Sequence, residues 1–365
     1  MKKIVILAGE PSGDLHAGRL IEALNKIEPE IIWSGTGGPC MANAGANLIL
    51  GLEKMNFMGF FEVIKHIPRI IHNFSTVKKH IQTIHPDLVI LVDYPGFNFK
   101  IARWCYRQKF PVIYYIAPQI WAWKESRIKL LKKYCQLVLC ILPFEEEYFQ
   151  NRGVKAVYTG HPLLEIFTEH SDNQEIKQKL AIFPGSRLFE VRRLLPIMIK
   201  AAALLNEKEV IVARAPVIPV EYYKKYIPSS IRVTFTNAQE ALKIARYAFV
   251  KSGTSTLQAA LSETPFLVCY KGTYLSYLLA KKLIRVPYIS LVNLILNKPI
   301  VKEFIQRECT PTHLAEEGEK LKKDPSYRTE LKTNFKLLRR ALLPEHASEN
   351  AARAILEFFK ENTLK

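Results

Sequence analysis

"KIVILAGEPSGDLHAG", Lys3–Gly18, decides how the rest of the chain is read. A short apolar run ends at Ala8, glycine and proline turn the chain, and an amphipathic pattern then covers Leu15–Lys26. A run apolar at successive positions and too short for a buried helix reads as a strand covered on both faces. Such strands belong to parallel sheets whose crossovers are helices. The turn is not G-x-G-x-x-G, so it carries no dinucleotide fingerprint. Gly9 and Gly13 admit a close ligand, and Ser12 or Asp14 can cap the following helix. A capped turn without any ligand has the same sequence. Lys2, Lys3 and the apolar run superficially resemble a secretion signal. The run is shorter than the ~7–15 residues such a signal needs, and a first strand and a cytoplasmic location are expected instead.

The same alternation continues. "IIWSG", "DLVILV", "PVIYYIA", "QLVLCIL" and "AVYTG" are separated by helical patterns, notably Met55–Ile84 and Phe99–Lys109. The polar segment Glu169–Lys179 interrupts it, and the pattern restarts with "LAIFPG", "EVIVARA", "IRVTF", "YAFVKS" and "PFLVCY". From about Pro311 the chain reads as helical throughout. The expectation is an α/β protein with two Rossmann-like, doubly wound domains, 1–168 and 169–342. Residues 343–365 form a helix folding back on the first domain. Ligands of such sheets bind beyond the strands' carboxyl ends, so a cleft between the two domains is expected to hold the site.

At 365 residues the chain exceeds one ordinary core. Apolar content of 48% and charged content of 24% exclude a disordered chain. No apolar stretch approaches the ~20 residues of a membrane span. Six cysteines without C-x-x-C, and nine histidines without H-E-x-x-H, give no metal spacing. The 52 basic against 34 acidic residues leave a net charge of +18. Nucleic acid, an anionic lipid surface or a phosphorylated substrate each answers to that charge. No nucleic-acid-binding signature accompanies it, which favours lipid or phosphate.

The unusual polar residues lie just after strands. "GTGGPCM" places Gly37 and Gly38 ahead of a short helix, a turn that admits a substrate. "DYPGFN" places Asp93 first off an apolar strand, where burial raises a carboxyl toward general-base range; a structural helix cap is the other reading. Trp121 and Trp123 in "IWAW" can stack on a sugar, sit at a membrane interface or pack in a core. In "FPGSRLFEVRR", Arg187 after Ser186 suits a diphosphate through its planar fork. "SGTSTLQ" offers backbone N–H groups and hydroxyls at Gly253, Thr254 and Ser255. Two such turns in one domain point to a nucleotide diphosphate held without metal. The segment Met55–Phe74 is apolar around much of its circumference and ringed by lysines. It is either a core helix or an interfacial one presenting Phe57, Met58, Phe60, Phe61, Ile64 and Ile67 to lipid or acyl chains. Tyr274–Leu296 has a similar mixture.

Taken in order, "GEPSGD", "GTGGPCM", "MGFFEV", "DYPGFN", "IAPQIWAW", "ILPFE", "TGHPL", "FPGSR", "SGTSTLQ" and "SLVN" resemble the lipid-A-disaccharide synthase family over about Gly9–Asn293. The resemblance implies an inverting, metal-independent glycosyltransferase of the GT-B architecture with no cofactor. It implies transfer of 2,3-diacylglucosamine from UDP to the 6-hydroxyl of 2,3-diacylglucosamine 1-phosphate, giving a β-1,6 disaccharide. It implies work at the inner face of the cytoplasmic membrane as a peripheral protein. By resemblance, Asp93 is the candidate base, Arg187 the diphosphate ligand, and Asn293 a residue near the nucleotide. Gly13, Asp14, Gly37, Gly38, Asn98, Trp121 and Trp123 are expected around the substrate. Three positions depart from the family pattern: Gly96 for a second aspartate, Val292 for a proline, and Gln258 for the glutamate of S-G-T-x-x-L-E. Gln258 is expected beside the ribose. Another UDP-N-acetylglucosamine enzyme of this fold, transferase or 2-epimerase, is the alternative enzymatic reading. A basic nucleic-acid-binding protein is the non-enzymatic one.

Overall fold

The computed structural model describes residues 1–55, 67–123, 125–168, 179–273 and 286–363. Phe57, Met58, Phe60, Phe61 and Ile64 lie outside them, as do residues 169–178 of the expected linker and 274–285 of the Tyr274–Leu296 stretch. The chain divides into two compact units, Met1–Pro162 with Pro344–Lys365, and Leu163–Leu343.

The first unit is built on seven strands: β1 (Lys3–Ala8), β2 (Ile32–Gly37), β3 (Asn47–Gly51), β4 (Leu88–Val92), β5 (Val112–Tyr115), β6 (Leu137–Cys140) and β7 (Ala156–Tyr158). Their order is β3-β2-β1-β4-β5-β6-β7, and the neighbours pair in parallel. The second unit has β8 (Lys179–Phe183), β9 (Glu209–Ala213), β10 (Arg232–Thr236), β11 (Ala245–Lys251), β12 (Phe266–Tyr270) and β13 (Glu303–Ile305). Their order is β10-β9-β8-β11-β12-β13, again parallel. Two strands are not among the expected runs. β3 is half exposed along most of its length, and β13 is three residues long; both are edge strands, where the buried-strand pattern fades.

Period-two alternation divides the first sheet's side chains between two cores. Ile4, Ile6, Ala8, Leu88, Ile90 and Val92 face one core. Val5, Leu7, Val89 and Leu91 face the other, against Val77 and Ile81 of the helix Ile67–Ile84. The first core is closed by the helix Pro11–Ile27 and by the last helix, Ala347–Thr363, which supplies Ala351, Ala352, Ile355 and Phe358. That return requires Gly160, at φ +89°: a Cβ there would lie 2.1 Å from the Pro344 carbonyl oxygen. The exposed pairs Lys26–Glu349 and Lys155–Glu361 add little to the docking. Surface ion pairs contribute ~0–1 kcal/mol, so apolar burial dominates.

Helix starts follow the strands closely because proline sets the first helical φ. Pro11, Pro39 and Pro95 open the helices after β1, β2 and β4. The helix expected from Phe99 therefore begins one turn earlier, at Pro95.

Ile355 is fully buried, so Ile355→Ala is expected to lower stability by ~2–5 kcal/mol, the usual range for such a cavity. A urea unfolding curve measures it. A loss below about 1 kcal/mol, within reach of a surface change, would mean the last helix is not part of this core.

Candidate active site

Strand order in the first sheet reverses between β1 and β4, so the loops leaving those strands diverge and open a crevice at their carboxyl ends. Glu10 follows β1 and Asp93 follows β4. Asp93 and Tyr94 both have left-handed backbone, φ 45° and 46°, a conformation costing ~1–3 kcal/mol for each non-glycine residue. The turn is held on several sides. The Asp93 N–H donates to the Tyr115 carbonyl at 3.1 Å, continuing the ladder with β5 by one residue. Its carbonyl accepts from the Tyr114 hydroxyl at 2.6 Å and from the Asn98 amide at 2.8 Å. The Tyr94 hydroxyl donates to the Met55 carbonyl at 2.6 Å. The Tyr94 ring lies over Gly9, where a Cβ would come within 2.4 Å of a ring carbon. Gly9 is thus a packing requirement of Tyr94.

The Asp93 carboxyl is pushed up to about 6, chiefly by burial and then by the Glu10 charge, with the Tyr94 N–H pulling partly back. A carboxylate of that basicity takes a proton near neutral pH far better than an ordinary one. Glu10 was not singled out in the sequence. Its place two residues after β1, opposite Asp93 in the reversed order, is the signal by which it can be found.

Several residues expected at the substrate serve the scaffold. Asp14 is buried, and its carboxylate accepts from the backbone N–H groups of Gly38 (2.7 Å), Cys40 (3.0 Å) and Met41 (3.1 Å). It caps the helix Pro39–Asn43, a different helix from its own. Gly37 and Gly38 are glycine because Cβ atoms there would meet Met41 Sδ at 2.2 Å and Asp14 Oδ2 at 2.7 Å. Gly13 is buried in its helix, and a Cβ there would make an ordinary contact with Ala8 Cβ at 3.4 Å. Asn98 is buried, donating to the Val92 and Asp93 carbonyls. Trp121 is half-buried and donates its indole N–H to Glu145 at 2.9 Å, with its ring edge-on to Phe144. Glu145 is buried and also accepts from Leu142 and Ile141 N–H. Burial pushes it up to about 7 against those three donors. Trp123 closes the short helix Ile120–Trp123. Ile67 is exposed at the start of the helix Ile67–Ile84.

The second sheet reverses between β8 and β11, and both glycine turns leave there. After β8, Gly185 (φ +113°), Ser186 and Arg187 lead into the helix Leu188–Leu204. Glu190 folds back on this start, accepting from Ser186 N–H at 3.0 Å and Arg187 N–H at 3.3 Å. Those two donors are taken up internally, and Arg187 offers an exposed side chain. Lys251, the last residue of β11, pairs with Glu190 at 3.0 Å and joins the two turns. After β11, the helix Thr254–Leu261 starts at Gly253 with no side-chain cap. Thr254 is exposed, Ser255 and Gln258 are half-buried, and Gln258 lies one turn in from Thr254. This uncapped start is the more open anion cradle of the two.

Asn293 is buried and its amide is fully occupied. It donates to the Val301 carbonyl and Glu303 and accepts from Val301 N–H, each at 2.9 Å. Glu303 also accepts from Ile289 and Ser290 N–H. Asn293, expected near the nucleotide, thus fastens the helix Leu291–Leu296 to β13. Among the described residues no group of three His, Cys, Asp or Glu is arranged to hold a metal ion. None of the described helices is long and apolar enough to cross a membrane.

Comparison with known proteins settles the family. The model of lipid-A-disaccharide synthetase matches residues 4–358. The chain belongs to the lipid-A-disaccharide synthetase family. A lipid-A-disaccharide synthase of Coxiella burnetii (strain CbuG_Q212) is 34% identical over 367 residues, covering 97% of this chain and 98% of its own. The Syntrophus aciditrophicus synthase is 36% identical over 378 residues, 99% of each chain. As a member of that family the chain is an enzyme, a glycosyltransferase that forms the lipid A disaccharide. Among solved structures, a Staphylococcus aureus MnaA–UDP co-structure aligns with a TM-score of 0.67 at 14% identity, covering 99% of this chain and 97% of that one. The calicheamicin glycosyltransferase CalG4 aligns at 0.60 and 14%, covering 99% and 98%. At such identities the likeness concerns the fold, which is GT-B.

Because Asp93 holds its proton more tightly in the folded chain, its charge counts against folding above about pH 6. That penalty fades as pH falls toward the ordinary carboxyl value. Asp93→Asn is expected to melt at a higher temperature than the parent at pH 8 and at the same temperature near pH 3. Calorimetry at the two pH values checks this, and equal melting at pH 8 would contradict the raised carboxyl.

Proposed function

We propose that the enzyme transfers 2,3-diacylglucosamine from UDP-2,3-diacylglucosamine to the 6-hydroxyl of 2,3-diacylglucosamine 1-phosphate, with Asp93 as general base. The observation that carries the assignment is the Asp93 carboxyl, raised to about 6 on a strained turn where the strand order reverses. Asp93 removes the hydroxyl proton while the oxygen attacks the donor's anomeric carbon from the face opposite UDP. The bond to the diphosphate oxygen breaks, the configuration inverts, and UDP leaves carrying the negative charge. Arg187, with Ser186 beside it, and the uncapped helix start at Gly253, Thr254 and Ser255 receive that charge. Gln258 pairs with the ribose hydroxyls. Asn293 acts by supporting the helix that follows Ser290.

Asp93→Asn is expected to reduce kcat by ~10²–10⁴-fold, the usual contribution of a positioned base. Mass spectrometry of the product formed from the two diacyl substrates measures this; near-normal disaccharide formation would refute the base. Arg187→Ala is expected to weaken UDP release control and donor binding together, raising the donor KM.

At Gln258 a carboxylate accepts from both ribose hydroxyls with charge assistance, whereas an amide accepts at its oxygen and donates at its nitrogen. Gln258→Glu is therefore expected to tighten UDP binding by ~5–30-fold, the equivalent of one charge-assisted hydrogen bond. Calorimetric titration with UDP decides it, and unchanged or weaker affinity would count against the ribose contact.

The same reading places the enzyme on the inner face of the cytoplasmic membrane. Exposed Ile67 and Ile71 stand at the start of one helix, and Arg127, Lys129, Lys132 and Lys133 line the segment after the tryptophans. Each basic residue near an anionic surface adds ~1 kcal/mol, enough for reversible attachment. Liposome binding that falls as salt rises is the expected signature; salt-independent binding would contradict it.

A further inference from the structure

The base needs more than its own carboxyl, because its backbone is held in a left-handed conformation that few non-glycine residues adopt. At Asp93 the N–H still follows the sheet, donating to the Tyr115 carbonyl, while φ of 45° turns the residue out of the strand. The carbonyl that follows faces protein. Two donors meet it there, the Tyr114 hydroxyl at 2.6 Å and the Asn98 amide at 2.8 Å. Asn98 also reaches the Val92 carbonyl at 3.2 Å, so one amide bridges the last two carbonyls of the chain as it leaves β4.

Tyr114 is fully buried on β5, its ring against Phe99 with centroids 5.6 Å apart. Its neighbours on that face include Val89, Leu91, Val112 and Val138, the lining of an apolar core. A phenylalanine would fill such a position without needing a partner for a hydroxyl. The hydroxyl has one acceptor here, the Asp93 carbonyl. Burial also pushes its ionisation well above the ordinary value, so it stays a donor throughout the working pH range.

We propose that Tyr114 and Asn98 are positioning residues: their two hydrogen bonds to the Asp93 carbonyl fix the left-handed turn and so aim the carboxyl at the acceptor hydroxyl. The inference rests on the reading of Asp93 as the base. Without the clamp, the strained peptide relaxes toward the extended region and the carboxyl loses both direction and burial. A strained backbone persists only while its surroundings over-determine it, and a small misplacement of a reacting group costs up to ~10²-fold in rate.

The test is Tyr114→Phe in the full chain, with both lipid substrates. Expected are a ~10–100-fold fall in kcat, KM values within about twofold of the parent, and an acid limb of the kcat profile moved to lower pH as Asp93 becomes more solvated. The matched control is Tyr247→Phe, which removes another buried hydroxyl, bonded to Glu207 at 2.8 Å in the second unit. It is expected to cost similar stability and leave kcat and the pH profile unchanged. Asn98→Ser, which keeps a shorter donor, is expected to retain more kcat than Asn98→Ala. Equal kcat and pH profiles for Tyr114→Phe and Tyr247→Phe, with Asp93→Asn inactive, would overturn the clamp and leave the base standing. An active Asp93→Asn would overturn both.

Discussion

A parallel sheet must be covered on both faces, and in the first unit that single requirement organises almost everything else. Seven strands carry apolar side chains above and below, so two separate cores have to be closed. One helix between consecutive strands cannot do this alone on the β1 side. The last helix of the chain completes it, and the price is a glycine at 160 where the returning backbone passes. The same crossovers bring Glu10 and Asp93 to the one place where loops part. The geometry of the candidate site is therefore a by-product of how the sheet is wound.

Acidic groups at the strand ends divide by what their oxygens touch. Asp14 and Glu190 spend theirs on backbone N–H groups at helix starts, Glu190 with Lys251 added. Glu303 and Glu145 likewise hold loops together through two backbone donors and one side chain each. All four are satisfied from within. Burial disfavours the charge at Asp93 as it does at Glu145, but at Asp93 a second carboxylate adds to the effect and one backbone donor opposes it, where Glu145 has three donors. Each hydrogen bond donated to a carboxylate lowers its appetite for a proton, so a base is best left with few.

Much of the fold was legible because buried parallel strands write themselves as uninterrupted apolar runs. "DLVILV" and "PFLVCY" could hardly be anything else, and β4 and most of β12 are buried accordingly. The edge strands β3 and β13 left a shorter mark, three apolar residues in a row at most, and are half covered. The candidate residues were legible as polar positions after strands; the backbone contacts their side chains make were not. Asp14, Asn98 and Asn293 all lie in motifs, all follow strands or open helices, and all turn out to hold backbone groups. A polar side chain after a strand has two employments, capping and ligand contact, and its sequence is the same in both. Only the partner atoms separate them. The Asp93 backbone was equally hidden, because nothing in "DYPGFN" except Pro95 restricts the turn, and the hydroxyl that stabilises it comes from the next strand.

The return of the last helix to the first sheet also sets an order of events during synthesis. Residues 1–162 emerge first, yet one face of their sheet lacks Ala351, Ala352 and Ile355 until the whole of Leu163–Leu343 has been made. At ~5–20 residues per second the interval is on the order of ten to forty seconds. Once Leu343 is made the second unit has every segment it needs, while the first still waits with an open apolar face. The later-made half of the chain is thus free to finish first, and the Asp93 turn is assembled in the half that is completed last.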